Sequence, residues 1–458
     1  MKSSKAQIQA KFHKIPTLKF EDKKLTSFAG IVVFMALFKA LNFKERIREC
    51  FKHVQSSGSY GLPVVVVMMV LHVILGFRRI RSIDYYRDDV LVRHFLGLRK
   101  KLPDVSTVSR NFRKLDEQSV ASLHDANRRI VQERIIEQGF TRLTIDFDGT
   151  VVWTTGGGKE GTAAGFNRKK KGAKGYYPLL CTCAQTGQVV DFLFRPGNVH
   201  DSNGAIDFIL DNVAALKHLN QNIKIESRFD GAFFDKKLLA WLEFLGVEYS
   251  ISVPFERLAE LKGMVEARKL WRRIDGEWSY FEAKWKPKNW SVKRRFIFVR
   301  HKVHKRRGGP VQLDLYEPGD YEHDYKVIVT NKKITARKVL WFHNGRGGQE
   351  GIIGELKDGA QFGYIPFGKK LANEAFMSTS IMAHNLNREL QMNAASPQRG
   401  LTDKRAAHWN FKKLATRRHE ILLRAGRLAR PANELTLTMN CNDALQDEIE
   451  LFMKALAA

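Results

Sequence analysis

At 458 residues the chain is too long for one compact domain, and its length suggests two to four. A hydrophobic fraction of 44% suffices for a sizeable core, but 77 Lys and Arg against 48 Asp and Glu leave a net charge of +29. Spread along the whole chain and not gathered in one block, that excess argues against a membrane surface and favours nucleic acid, whose counterions are released by each neutralised phosphate.

The opening MKSSKAQIQAKFHKIP lacks the apolar stretch of a signal peptide, and residues 1–24 are lysine-rich and polar. Helical patterns then run to about 135: SFAGIVVFMALFKALNF, PVVVVMMVLHVILGF, SIDYYRDDVLVRHFLG and LPDVSTVSRNFRKLDEQSV onward. The most apolar run, 62–77, is short for a membrane span, contains Pro63 and His72, and reads as a buried helix. Pro103 and Asp104 break the chain before Ser106, the predicted helix cap. The helix that follows carries Thr107, Ser109, Arg110, Asn111 and Arg113. A short helix, a turn and a polar-basic helix outline a helix-turn-helix DNA reader, and equally the solvated face of a helical bundle.

After residue 138 the period changes from helical to alternating. TRLTIDFDGTVVW, GYYPLLCTCAQ and VVDFLFRPGNV read as three strands, followed by a helix at 202–219, the strand IKIESRF, a helix at 234–245 and the strand VEYSISV. That order is the order of a ribonuclease-H-like α/β core. A basic, Trp-rich, β-patterned stretch intervenes at 255–335, helix returns from Thr335, and 371–458 is mostly helical and basic, ending in the strand ELTLTM. The predicted organisation is therefore a helical DNA-binding region (1–138), the core's first part (139–254), a β-rich insertion (255–335), the core's last helix (336–370) and a helical C-terminal region. Cys50, Cys181, Cys183 and Cys441 make neither a disulfide framework nor a zinc pattern, so a reduced, cytoplasmic protein is expected.

Two-metal phosphoryl chemistry needs carboxylates that converge from different elements on ions ~4 Å apart. Asp146 and Asp148 lie two apart on the first core strand and face one side; Asp230 ends the fourth strand before a glycine; Glu350 lies in the late helix. Singly, each has an ordinary reading as a turn residue or a solvated helix residue. Their order around this strand pattern, in so basic a chain, is what points to a metal site.

At these residues the sequence resembles bacterial insertion-sequence transposases of the DDE class. The resembling subgroup carries a β insertion before the final Glu and a Tyr-Arg-Glu-Lys signature around it. The likeness rests on IDFDGT, YYPLL…TGQVVDFLFRPGNVHDS, RFDGAFF and NGRGGQEGIIGELK, with Arg346, Glu350 and Lys357 at the signature's spacing. His343, beside Phe342, stands where the signature has its aromatic residue. The glycines at 345, 347 and 348 predict a helix that starts near Glu350.

The resemblance implies Asp148, Asp230 and Glu350 as catalytic metal ligands for two Mg²⁺ or Mn²⁺ ions. Asp146 is the alternative first acid, and Glu355, expected at the surface, the alternative last one. Arg346 and Lys357 are implied as phosphate contacts. The implied activity is cut-and-paste transposition: metal-dependent cleavage at terminal inverted repeats and strand transfer into target DNA. The implied assembly is a homodimer on double-stranded DNA, nucleoid-associated in a bacterial cytoplasm, with no membrane and no small-molecule cofactor. A nuclease of the same fold, or an inactive DNA-binding regulator, are the alternatives.

Two further regions fit DNA. Arg168, Lys169, Lys170, Lys171 and Lys174 form a cationic loop with glycines, readable as a phosphate contact or as a hairpin tip. Trp271, Trp278, Trp285 and Trp290 lie among cations, as base-stacking groups or as core.

Overall fold

The computed structural model describes residues 15–457, apart from 56–59, 155, 157, 166–169, 200–203 and 304–322. After the short strand β1 (Leu25–Thr26) come six helices: α1 (Val32–Ala40), α2 (Phe43–Glu49), α3 (Leu62–Ile74), α4 (Val90–Leu96), α5 (Val105–Arg113) and α6 (Glu117–Glu137). α3 is apolar on every side and is buried on nearly every side, as such a helix must be. Pro63 sits in its first turn, where the missing N–H has no partner to lose. The cap of α5 is Asp104 and not Ser106. Its carboxylate accepts from Thr107 N at 2.6 Å and from the Ser106 hydroxyl at 2.9 Å. A charged acceptor gains more from the helix dipole than a hydroxyl does.

The central sheet grows from β2 (Arg142–Gly149), which runs parallel to β8 (Lys224–Phe229) and antiparallel to β6 (Leu179–Cys183). β7 (Gln188–Leu193) closes one side, and β9 (Glu248–Val253) lies parallel to β8 on the other, giving the local order β7-β6-β2-β8-β9. The expected first strand is cut short. β2 stops at Gly149, and Val152–Trp153 (β3) joins a separate small sheet with β4 (Ala163–Ala164) and β5 (Lys174–Tyr176). Glycine is needed at 149 because a Cβ would lie 2.6 Å from the Tyr177 ring.

Alternation gives this sheet two unlike faces. Leu143, Ile145, Phe147, Ile225 and Phe229 point to an apolar core completed by helices α7 (Ala205–Leu219) and α8 (Lys236–Phe244). The intervening Thr144, Asp146, Glu226 and Arg228 are equally buried but polar.

Residues 255–335 contain a helix, α9 (Ala259–Glu266), and their strands extend the main sheet. β10 (Arg272–Arg273), β11 (Trp278–Trp285), β12 (Arg294–Lys302) and β13 (His323–Thr330) add in antiparallel order beyond β9. Next come α10 (Ala336–Asn344), α11 (Gly347–Gly359) and the long α12 (Lys370–Ala394). α12 packs against α3 and α6, so the N-terminal helices and the C-terminal part share one core. Arg134 of α6 meets Glu389 of α12 at 2.7 Å within it.

Within the C-terminal region read as mostly helical, residues 396–413 instead form an irregular strap across the polar face of the sheet. The strap's carbonyls and side chains answer buried charges: Arg405 Nε donates to Glu226 Oε1 at 3.0 Å. Beyond it lie β14 (Gly426–Ala429), which pairs with β1, β15 (Thr436–Met439) and α13 (Asp443–Ala457).

Candidate active site

Two neighbouring strands carry the first two acids. Backbone pairing sets Asp146 beside Arg228, and one residue on the rings of Phe147 and Phe229 are stacked, with centroids 5.5 Å apart. The same register brings Asp148 and Asp230 together at adjacent strand ends, on the face opposite the phenylalanines. Both are half-buried. Asp230 also turns the chain: its Oδ1 accepts from Ala232 N at 2.9 Å and caps the 3₁₀ turn Gly231–Phe233.

The third acid, Glu350, is exposed in the first turn of α11. That helix is fastened to β2 and the residues after it. Gln349 Nε2 donates to Asp146 O at 3.0 Å, and Lys357 Nζ donates to Val151 O at 2.9 Å. Arg346, the residue that caps the helix, reaches Asp148 Oδ2 at 3.3 Å, as an ion pair and not an aligned hydrogen bond. α11 begins at Gly347, earlier than the glycines predicted, because α10 runs almost directly into it: the last carbonyls of α10 accept from Gly345 N and Arg346 N, and the carbonyls of Gly345 and Arg346 accept from Gly348 N and Gln349 N. At helical periodicity Arg346, Glu350 and Lys357 share one face. Among the described residues, however, no three His, Cys, Asp or Glu side chains stand close enough to hold one ion. Arg346 is paired with Asp148, and the strand register sets Asp230 at the neighbouring strand end; Glu350 is not drawn into a cluster with the two aspartates.

The donor chemistry of the aspartate pair still suits Mg²⁺ or Mn²⁺. Such ions take oxygen ligands and need only one or two protein carboxylates when phosphate and water fill the other positions.

The two alternative acids have other work. Asp146 is fully buried in a bidentate pair with Arg228, at 2.6 and 2.5 Å. Glu355 is not at the surface: it is buried on the far side of α11, against Arg388 at 2.5 Å and His384 at 3.6 Å, and accepts from Leu414 N. Burial alone would raise its pKa, but the neighbouring His384 and Arg388 hold it down at about 2. Its place follows from helix geometry, since five residues from Glu350 is well over a right angle around the axis.

The residues at the signature's aromatic position face inward. His343 is buried between the hydroxyls of Ser250 (3.0 Å) and Ser252 (2.8 Å), and Phe342 is buried beside Lys332 and Arg228. Burial, with Lys326 and Arg346 nearby, keeps His343 neutral, its pKa well below the usual histidine value.

Sequence reasoning missed Lys326 of β13. Its Nζ donates to Asn344 Oδ1 at 3.2 Å, and burial, followed by the charge of Arg346, lowers its pKa to about 8. A single cation in an otherwise ordinary strand gives no sequence signal. Arg228 was missed too, although its position on the Asp230 face of an apolar strand was a usable sign.

The family described as transposase DDE domain, group 1, matches residues 8–458. The chain belongs to that family. It is a DNA transposase, a nuclease and strand transferase by family. Among solved structures it is similar to a piggyBac transposase synaptic complex with hairpin DNA: 13% identity and a TM-score of 0.32, covering 92% of this chain and 85% of that one. It is also similar to the Mos1 mariner paired-end complex with Mn, at 13% identity and a TM-score of 0.18, covering 35% of this chain and 52% of that one. No curated protein matches it.

The transposase's other candidate DNA contacts lie in two places. Ser109, Arg110 and Arg113 are on α5, with both arginines exposed while Val108 and Phe112 pack inward. Arg168 and Lys169 fall outside the described residues. Lys174 opens β5 of the small sheet, and Lys170 and Lys171 lie in the turn before it, where Lys170 Nζ is 4.4 Å from the ring of Trp153. Trp271, Trp278, Trp285 and Trp290 are all packed. Trp271 meets Phe281 edge-on, Trp278 lies on His301, Trp285 bonds Glu260 at 2.8 Å, and Trp290 stacks on Phe234. Trp153, on the small sheet that follows β2, is 41% exposed. Among the described residues no helix is long and apolar enough to cross a membrane.

Proposed function

We propose that this transposase works by cut-and-paste on a ribonuclease-H-like core, with Asp148, Asp230 and Glu350 as its catalytic carboxylates. The observation that carries the reading is the register of β2 and β8, which brings Asp148 and Asp230 to neighbouring strand ends beside Arg346. The strand order β7-β6-β2-β8-β9, with β6 antiparallel to β2, supports the core assignment. On this reading 139–254 and 336–370 make up the core, 255–335 is an insertion that widens its sheet, and 1–138 and 371–458 flank it.

Two Mg²⁺ or Mn²⁺ ions, when bound, would activate a water or 3′-hydroxyl and neutralise the leaving 3′-oxygen. The chain's own residues set the geometry. Asp148 and Asp230 supply oxygen ligands from a rigid sheet, and Glu350 joins from α11 as DNA docks. Arg346, already paired with a carboxylate, exchanges it for a phosphate oxygen and so orients the scissile group. Lys357 holds the end of β2 against α11 and adds positive charge on the same helix face. Arg168, Lys169, Lys170, Lys171 and Lys174 would follow the DNA backbone next to the site. Ser109, Arg110 and Arg113 would contact the inverted repeat. Because both ends of an element must be cut and joined together, the DNA-bound form is proposed to be a homodimer.

The test is conservative substitution. Asp148→Asn, Asp230→Asn and Glu350→Gln should each reduce metal-dependent nicking and strand transfer by at least 100-fold while leaving metal-free DNA binding intact, since shape is kept and only charge and a ligand are lost. Near-normal cleavage by all three variants would overturn the assignment.

A further inference from the structure

Resting on that reading of the acids, we propose that the Arg228–Asp146 pair is a positioning device that holds all three acid-bearing elements in register for metal binding. Arg228 stands two residues before Asp230 on β8, and Asp146 two residues before Asp148 on β2. Both residues are 1% exposed and doubly bonded, so the guanidinium fork fixes one strand end against the other. The remaining nitrogen, Nη1, donates to Phe342 O at 3.2 Å and to Lys404 O at 2.7 Å. Phe342 is in the last turn of α10, which leads straight to Arg346 and Glu350.

The backbone is shaped around this contact. A Cβ at Gly345, the residue before Arg346, would collide with both Lys404 O and the Arg228 guanidinium. Asp146 adds a second tie, because its own carbonyl accepts from Gln349, one residue before Glu350. One ion pair thus touches β2, β8, the α10–α11 junction and the C-terminal strap.

A fully buried ion pair gives little net stability over a well-packed apolar pair, and its desolvation is costly. What a guanidinium offers and a leucine does not is several fixed directions at once. At metal sites, groups behind the ligands commonly change metal affinity 10–100-fold when altered.

The experiment uses the full chain with Arg228→Lys and Asp146→Asn. Lysine keeps the charge but lacks the fork; asparagine keeps the shape but halves the acceptor. Mn²⁺ alone is titrated, with free ion read by electron paramagnetic resonance, alongside thermal melting and metal-free DNA binding. Both variants are expected to remain folded and bind DNA, with Mn²⁺ dissociation constants raised by about tenfold or more. Arg228 ligates no metal, so its loss of affinity is not a lost ligand. Folded variants with wild-type Mn²⁺ affinity would overturn the proposal. So would unfolding of both, since the pair would then hold the domain and not the acids. Asp148→Asn is the control: if it binds Mn²⁺ like the wild type, the acid assignment fails first, and the proposal with it.

Discussion

The two faces of β2 and β8 are buried to the same degree and built on opposite principles. One face is Ile145, Phe147 and Phe229 against α7 and α8, where contact is non-directional and area sets the gain. The other is Asp146, Glu226 and Arg228 against α10, α11 and the strap, where almost every contact is a directed bond. The first face makes the domain stable, and the second makes it definite. An active site that must hold carboxylates to a fraction of an ångström is placed at the edge of the definite face, and the apolar face stays behind it.

The largest effect on that comparison should come from the apolar side. Phe147→Ala removes a fully buried ring stacked on Phe229 and should cost about 3–5 kcal/mol of unfolding free energy, measurable in urea. Any folded fraction should retain metal affinity. A folded Phe147→Ala protein with lost Mn²⁺ binding would mean that the two faces are not separable.

Next is Glu355, on the polar side but away from the acids. Glu355→Gln leaves Arg388 buried without its counter-charge and should destabilise by about 3 kcal/mol. The pH dependence carries the sign. The folded-state pKa, about 2, lies below the usual 4.5, so the pair's contribution is complete above about pH 4.5 and is lost as pH falls towards 2. The variant's stability should therefore fall less steeply over that acid range. Parallel acid profiles for the two proteins would refute the pairing.

The smallest effect belongs to an exposed position. Trp153→Ala should leave stability unchanged and weaken binding of single-stranded DNA by about 1–2 kcal/mol, read by fluorescence anisotropy. The same change at Trp290, which is stacked on Phe234, should lower the melting temperature instead. The reverse pattern would return the stacking role to the insertion.

Much of this was legible beforehand because it depends on local period. Alternation marked the strands, and placing Asp146 and Asp148 on one face needed only the pleat. The long-range partners were not legible. Asp146 looked like a spare ligand because Arg228 lies 82 residues away, and no local pattern says which buried cation will meet it. Glu355 looked solvated because its partners come from α12 and from Leu414. The strap was misread as helix for a related reason. Its sequence is compatible with helix, but the unpaired polar face of the sheet needs backbone carbonyls, which a helix would keep for itself.

The bond from Arg228 to Lys404 O spans 176 residues, and its acceptor is made after all three acids. A nascent chain that has cleared Glu350 already carries every carboxylate of the site but not the carbonyl that seats α10 and α11 over β8. Fragments ending before residue 404 are therefore poor surrogates for the enzyme: they would contain the chemistry in sequence and lack its frame in space.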